Sequence, residues 1–128
     1  MHKAITKEEV EALQQTNAIV KMVDIRSPEE YEKLHIPKVM NIPAEDLSDN
    51  LIVFDKEDAI VCICNQGRER SQQAAELLFN AGLTNTFYLI GGTTGWFNQE
   101  LGAAKQAADN QNESSLLYLK NSADNRSN

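Results

Sequence analysis

The sequence predicts an α/β domain with a parallel sheet that helices cover on both faces. Short apolar segments typical of strands alternate along the chain with segments of helical periodicity. One segment, residues 59–63, is apolar throughout, as expected for a strand buried on both faces. Strands joined through helices form right-handed crossovers, and such sheets bind ligands at the carboxyl ends of their strands. Any functional site is therefore expected at that edge.

The length and the charge of the chain limit the class of protein. Its 128 residues suffice for one domain with a proper core. The formal net charge of −7 argues against general binding to nucleic acids or anionic membranes, so any positive site must be local. The sequence has no long apolar segment and no signal-peptide core, since a charged helix follows the first residues. We expect a cytoplasmic protein.

Several elements carry recognisable end signals. Thr6 and Glu9 have the spacing of a capping box, and Ser27 followed by Pro28 supplies an N-cap and a first-turn proline. Gly82 has the place and the residue type of a left-handed helix terminator. The predicted order is a helix from Thr6 to about Asn17, a strand at 18–23, a helix at 28–34, a strand at 39–42, a helical turn at 44–47, a strand at 59–63, a helix from Ser71, a strand at 86–90 and a short helix from 94 to about 102.

The loop between the strand at 59–63 and the helix from Ser71 carries the candidate chemistry. Cys64 lies where the strand ends, and one glycine and two arginines, Arg68 and Arg70, follow it. Successive backbone N–H groups of such a loop can turn toward one point and form an anion cradle. A helix N-terminus and arginines favour the thiolate over the thiol. The sequence therefore predicts a lowered pKa for Cys64 and a cysteine nucleophile that acts on a small anion.

The other candidate ligands give no cofactor or metal site. Cys62 and Cys64 point to the same face of a strand with Cα atoms roughly 6.5–7 Å apart, a poor span for a disulfide, so we expect reduced thiols. Cys62, inside the strand, is interpreted as a structural cysteine. The acidic residues between positions 45 and 58 are too scattered for a metal site and are interpreted as a solvated face.

A set of short motifs, none specific alone, resembles a known family. The motifs are Val23 to Arg26, Glu30-Tyr31, His35 to Pro37, Asn41 to Pro43, Cys64 with Gly67, Arg70 and Ser71, and Gly91-Gly92 with Trp96. In this order and spacing, over about residues 5–101, they resemble the rhodanese family of sulfurtransferases. The resemblance implies a three-layer α/β domain over residues 1–102, with a central parallel sheet of about five strands. Residues 103–128 would then be a polar tail, mobile or partly helical, with an apolar patch at Leu116 to Leu119.

The same resemblance implies the activity. Cys64 would take a sulfane sulfur from a small anionic donor such as thiosulfate, and the persulfide would pass it to a thiol, a protein acceptor or cyanide. The implied role of Asp24 and Arg26 is a structural ion pair that orders the adjoining loops. The implied site residues are the catalytic Cys64 and the substrate-binding loop Asn65, Gln66, Gly67, Arg68, Glu69 and Arg70.

The sequence departs from the usual pattern of the family at two places. Leu34 and Lys38 stand where the family usually has glycine, which affects the shape of one turn. Five residues separate Cys64 from Arg70, where the usual loop has four. A loop of this longer length is similar to that of the cell-cycle phosphatases and arsenate reductases that share the rhodanese fold, whose pockets hold a tetrahedral oxyanion.

Three functions from different classes follow. The sulfurtransferase reading is preferred, because Gly67 and the Arg70-Ser71 ending are typical of that activity and no obvious general acid serves a leaving alcohol; Glu69 alone is a candidate. A phosphatase or arsenate reductase that uses Cys64 is the alternative. A non-catalytic rhodanese-like module that binds partners through the Leu116 to Leu119 patch is the third.

Overall fold

The structure, a computed structural model, describes residues 3–100. The chain divides into two compact units, residues 1–95 and residues 96–128, and only residues 96–100 of the second are described. The predicted tail at 103–128, with its Leu116 to Leu119 patch, lies outside the described residues. Within residues 3–100 no helix is both long enough and apolar enough to cross a membrane.

The described elements alternate between strands and helices. In chain order they are β1 (Lys3–Ile5), α1 (Lys7–Gln14), β2 (Val20–Asp24), α2 (Pro28–Lys33), β3 (Met40–Asn41), a 3-10 helix (Ala44–Val53), β4 (Ala59–Ile63), α3 (Glu69–Asn80) and β5 (Thr86–Leu89). Helical backbone resumes at residue 92 and is present through residue 100. The five strands are all parallel and lie in the order β1-β5-β4-β2-β3. The predicted α/β fold with a parallel sheet of about five strands is confirmed.

Strand β4 is the centre of the sheet and of the core. All five of its residues are buried, as predicted for a strand covered on both faces. It pairs with β2 on one side and with β5 on the other, and Asp24 is in register with Ile63. Because the strands are parallel, the chain leaving β2 and the chain leaving β4 emerge side by side. This register brings the segment after Asp24 next to Cys64.

The predicted end signals are confirmed at three helices. The hydroxyl of Thr6 accepts a hydrogen bond from the Glu9 backbone at 3.1 Å, and the Glu9 carboxylate accepts one from the Thr6 backbone at 2.9 Å. Ser27 forms a second capping box, which opens α2. Gly82 has φ +99, and its N–H donates to the carbonyl of Phe79 at 3.0 Å, which closes the C-terminal turn of α3.

Several element boundaries differ from the prediction. Strand β1 has only three residues, too few for a periodic pattern, and it forms through pairing with β5. The 3-10 helix extends the predicted turn at 44–47 as far as Val53, with a kink at Asn50. Strand β3 shrinks to two residues, and α3 begins at Glu69 instead of Ser71. Apart from β1, which was not predicted, these differences lie at the ends of elements, where local sequence signals are weakest.

The interpretation of Asp58 as part of a solvated acidic face is wrong. Its carboxylate is buried and lies 2.8 Å from the Lys21 ammonium. It also accepts a hydrogen bond from the Asp55 backbone at 2.8 Å. Burial acts to raise the pKa of Asp58, but the hydrogen bonds from Lys21 and Asp55 outweigh it, and the pKa is lowered. Asp58 therefore ties the turn before β4 to β2.

Lys38 has φ +67, the one positive φ of a non-glycine residue within residues 3–100. The left-handed region costs an L side chain ~1–2 kcal/mol. We expect Lys38→Gly to raise the free energy of unfolding by ~0.5–1 kcal/mol in urea titrations, because this relief exceeds the entropy that glycine adds to the unfolded chain. Lys56, an exposed turn residue, is the matched control. Lys56→Gly should not stabilise, and an equal change in both variants would contradict the prediction.

Candidate active site

The thiol of Cys64 lies at the carboxyl end of β4 and faces the first turn of α3. Cys64 is buried, with 3% of its surface exposed. Its Sγ lies 3.2 Å from the hydroxyl oxygen of Ser71, which is also 3.1 Å from the carbonyl oxygen of Arg68. Ser71 is itself fully buried. The sequence placed Ser71 in a motif but gave it no role, because its contact with Cys64 depends on how the intervening loop folds.

The environment of Cys64 favours the thiolate. Burial acts to raise its pKa, but hydrogen bonds from the Ser71 hydroxyl and from the backbone N–H groups of Arg68, Ser71 and Gly67 outweigh it, so the pKa is lowered from that of an ordinary thiol. The direction is as predicted. The cause differs in part, because these hydrogen bonds, and not the arginine charges, make the largest lowering contributions.

The neighbouring Cys62 has the opposite character. It is fully buried within β4, and burial together with the nearby Cys64 raises its pKa to about 12. Both cysteines are free thiols. Because thiolates and not thiols are nucleophiles, Cys64 is the better candidate for a reactive cysteine, and the complete burial of Cys62 agrees with its predicted structural role.

An open pocket of about 460 Å³ lies over the loop between β4 and α3. The structure brings six of the seven predicted site residues together around it: Cys64, Asn65, Gln66, Arg68, Glu69 and Arg70. Apart from Cys64, all of these side chains are exposed. A buried thiol at the base and polar side chains around the opening suit a small ligand that carries charge.

Gly67, the seventh predicted residue, is packed against the segment that follows β5. It has φ +67, and a Cβ there would lie 2.3 Å from the carbonyl oxygen of Leu89. Gly92, in that same segment, also lies against the loop, since a Cβ on it would lie 2.2 Å from the carbonyl oxygen of Cys64. The backbone of Thr93 also donates to that oxygen, at 2.9 Å. The loop that carries Cys64 is thus braced by backbone contacts that only glycine permits.

Arg26 connects the site to the neighbouring strand. Its guanidinium pairs with Asp24, with Nη2 2.7 Å and Nε 2.9 Å from the two carboxylate oxygens. The same guanidinium donates to the Asn65 side-chain oxygen at 2.8 Å and to the Leu34 carbonyl at 2.7 Å. The structure therefore contains the ion pair that the resemblance implied, and Arg26 joins it to two loops.

Glu30 is a contact of the site that the sequence did not identify. Its carboxylate accepts a hydrogen bond from the Asn65 side-chain amide at 3.0 Å and lies 3.4 Å from Arg70 Nη2. The sequence marked Glu30 only as part of a helix start and of a family motif. Arg70, predicted to bind an anion, is thus paired with a carboxylate of α2.

The comparisons with known proteins agree with this geometry. The profile of the rhodanese-like domain family matches residues 6–99, most of the chain. The chain belongs to the rhodanese-like domain family. The resemblance inferred from the motifs is thereby confirmed, and with it membership of a sulfurtransferase family.

Three curated bacterial relatives have names that refer to sulfur chemistry. The thiosulfate sulfurtransferase GlpE of Pseudomonas syringae is 30% identical over 94 residues, which are 73% of this chain and 86% of the relative. The thiosulfate sulfurtransferase PspE of Escherichia coli is 37% identical over 65 residues, 49% of this chain and 62% of the relative. The putative sulfur carrier protein YrkF of Bacillus subtilis is 35% identical over 75 residues, 59% of this chain and only 40% of the relative.

Solved structures give the same fold. A rhodanese-like domain protein of Staphylococcus aureus is 29% identical with a TM-score of 0.65, and the match covers 75% of this chain and 91% of that protein. A protein of unknown function from Rhodopseudomonas palustris, described as a possible tyrosine phosphatase, is 25% identical with a TM-score of 0.69. That match covers 77% of this chain and 82% of the other.

Removal of the Ser71 hydroxyl should raise the pKa of Cys64. Ser71→Ala takes away the side-chain hydrogen bond that opposes burial, so the midpoint of Cys64 alkylation by iodoacetamide should move to higher pH. Below that midpoint, the rate should fall several-fold because less thiolate is present. The matched control is Ser48→Ala, an exposed serine of the 3-10 helix, which should leave the profile unchanged. Superimposable profiles for all three proteins would contradict the assignment.

The close approach of Gly92 to the loop should make it far less tolerant of a side chain than Gly82. Gly92→Ala combines a left-handed φ with a Cβ overlap on the Cys64 carbonyl, so we expect a loss of ~3–5 kcal/mol in the free energy of unfolding. Gly82 also has a positive φ, but a Cβ there meets nothing within 4 Å. Gly82→Ala should cost only ~1–2 kcal/mol. Chemical denaturation measures both, and equal losses would contradict the steric account.

Proposed function

We propose that this protein moves sulfane sulfur from thiosulfate or another persulfide donor to a thiol, a protein or cyanide through a persulfide on Cys64. One observation carries the proposal. The Cys64 sulfur lies 3.2 Å from the Ser71 hydroxyl oxygen, and hydrogen bonds from that hydroxyl and from the backbone N–H groups of Gly67, Arg68 and Ser71 lower the pKa of Cys64. The proposal assigns the whole loop, Asn65, Gln66, Gly67, Arg68, Glu69 and Arg70, to binding of the donor.

The chemistry needs only a thiolate and stabilisation of charge. The Cys64 thiolate attacks the outer sulfur of thiosulfate, a new S–S bond forms, and the S–S bond of the donor breaks as sulfite leaves with its electron pair. The outer sulfur of the persulfide now carries the negative charge, beside the N–H groups of the loop. An acceptor thiolate or cyanide then attacks this outer sulfur, and Cys64 returns as thiolate. Arg68 and Arg70 add positive charge at the opening for the donor and the departing sulfite.

The names of the relatives support the same chemistry. GlpE and PspE are both thiosulfate sulfurtransferases by name, and YrkF is named as a putative sulfur carrier. In this proposal residues 1–102 form the sulfurtransferase domain and residues 103–128 a tail. The two free thiols fit a reducing compartment, and we propose a cytoplasmic location on that ground.

A phosphatase or arsenate reductase is the second candidate. The observation that favours it is the loop of five residues between Cys64 and Arg70, which is long enough to surround a tetrahedral oxyanion. The structural relative described as a possible tyrosine phosphatase points the same way. Against it, Arg70 is paired with Glu30. A phosphatase also needs a general acid for the leaving alcohol, and Glu69 is the one acid among the residues that line the pocket.

Intact-protein mass spectrometry after incubation with thiosulfate tests the first candidate. We expect a gain of one sulfur atom that disappears on reduction and is absent in Cys64→Ser. Cys62→Ala is the matched control, and it should keep the gain because Cys62 lies in the core. A phosphatase assay on an aryl phosphate runs in parallel. Absence of the sulfur gain together with steady, Cys64-dependent release of phosphate would refute the sulfurtransferase proposal and favour the second candidate.

A further inference from the structure

The Glu30 carboxylate is anchored beside two of the residues that line the pocket, Asn65 and Arg70. One of its oxygens accepts hydrogen bonds from the Ser27 backbone at 3.3 Å and from the Ser27 hydroxyl at 3.2 Å. The other accepts from the Asn65 side-chain amide at 3.0 Å. Asn65 is fixed in turn, because its side-chain oxygen accepts from Arg26 at 2.8 Å. Glu30 is therefore held from both sides, and its negative charge has a fixed place beside the loop.

This fixed charge acts on Arg70. The Nη2 atom of Arg70 lies 3.4 Å from Glu30 Oε1, and the side chains are 51% and 35% exposed. An exposed pair at this distance contributes little to the free energy of folding. Its electrostatic effect is larger, since a carboxylate beside a guanidinium reduces the field that an anion in the pocket experiences. Glu69, which lines the pocket, adds a second negative charge.

The site is thus balanced in charge, although its loop is rich in arginine. Arg68 and Arg70 supply two positive charges at the pocket, Glu69 supplies one negative charge there, and Glu30 supplies another beside Arg70. Burial acts to raise the pKa of Glu30, but hydrogen bonds from Ser27 and Arg70 outweigh it and lower the pKa, so Glu30 is ionised at neutral pH. A dianion entering this pocket must compete with Glu30 for Arg70.

We propose that Glu30 determines the specificity of the site, because it withholds Arg70 from dianionic donors and thereby favours donors with a singly charged sulfane sulfur. Organic persulfides belong to the favoured class, and thiosulfate, a dianion, to the disfavoured one. Glu30 does not touch the reacting sulfur and is a specificity-determining residue, not a catalytic one. The assignment of donors rests on the proposed sulfur transfer, whereas the effect of Glu30 on anions does not.

Alkylation of Cys64 tests the effect without sulfur transfer. Iodoacetate and iodoacetamide are close in size, but the first is an anion and the second is neutral. The ratio of their rate constants therefore measures how well the pocket accepts negative charge. Glu30→Gln removes the charge and keeps an oxygen that accepts a hydrogen bond. The matched control is Glu29→Gln, one residue earlier in α2 and exposed.

We expect Glu30→Gln to raise the iodoacetate to iodoacetamide ratio by about three- to tenfold at low ionic strength, and the rise should shrink in salt. The rate with iodoacetamide alone should stay within about twofold, which shows that the variant is folded and its thiolate retained. Glu29→Gln should leave the ratio unchanged. An unchanged ratio in Glu30→Gln, or an equal rise in Glu29→Gln, would overturn the inference.

The same alkylation measurements in an Arg70→Gln background test whether Glu30 acts through Arg70. If Glu30 acts by withholding Arg70, the effect of Glu30→Gln should be clearly smaller once Arg70 is absent. An effect of the same size with and without Arg70 would overturn this mechanism, because Glu30 would then repel anions directly and not through Arg70.

The kinetics of sulfur transfer from thiosulfate then test whether the effect of Glu30 on alkylating agents extends to a sulfur donor. Glu30→Gln should lower KM for thiosulfate with little change in kcat, because the change affects binding of the dianion and not the thiolate. A protein that takes sulfur neither from thiosulfate nor from an organic persulfide but shows the Glu30-dependent ratio would overturn the proposed function and support the role of Glu30 in anion selection. A protein that forms the persulfide while the ratio does not change would overturn the role of Glu30 alone.

Discussion

The buried ion pair between Asp24 and Arg26 is the interaction on which the geometry of the site depends. Burial of two charges is costly, and the cost is offset only where hydrogen bonds satisfy the remaining donors and acceptors. Here the guanidinium is satisfied by Asp24, by the Leu34 carbonyl and by the Asn65 side chain. Loss of Asp24 would leave the Arg26 charge buried without its counter-charge, and the other bonds of Arg26 connect the loops after α2 and β4 to this pair. The position of Cys64 therefore depends on this arrangement of the loops as well as on strand β4.

Parallel pairing of the strands explains why these loops meet at all. The register that aligns Asp24 with Ile63 delivers Arg26 and Cys64 to the same edge of the sheet, and β5, on the other side of β4, delivers Gly92 and Thr93. The backbone of each loop contributes a different part of the site. The loop after β4 turns its N–H groups toward the sulfur, and the segment after β5 holds that loop from behind through contacts too close for any side chain. The thiolate is stabilised mainly by backbone groups and one hydroxyl, which are fixed by the fold.

The sequence predicted the features whose causes are local. The capping box at Thr6 and the glycine terminator at Gly82 depend on a few neighbouring residues. The uninterrupted apolar sequence of β4 is enough to predict that this strand is buried. Features that depend on contacts with residues far away in the sequence were not predicted. Strand β1 exists because β5 is beside it, and Asp58 is buried because Lys21 reaches it from β2. The site divides in the same way: the order of residues in the loop identified Cys64 and its surroundings, but the contacts of Ser71 with Cys64 and of Glu30 with Arg70 required the folded chain.

The site therefore separates two tasks between two kinds of group. Stabilisation of the sulfur belongs to backbone N–H groups and to Ser71, all packed within the fold, so it is insensitive to exchange of the exposed side chains. In the proposed function, attraction of an anionic ligand belongs to Arg68 and Arg70 and is opposed by Glu69, and all three side chains are exposed, away from the core. Glu30 stands between the two groups, since Ser27 and Asn65 fix its position while its charge faces Arg70. Under the proposed function, a lengthened loop can accordingly keep the chemistry of the thiolate, while the charges of the side chains around the pocket select among anions.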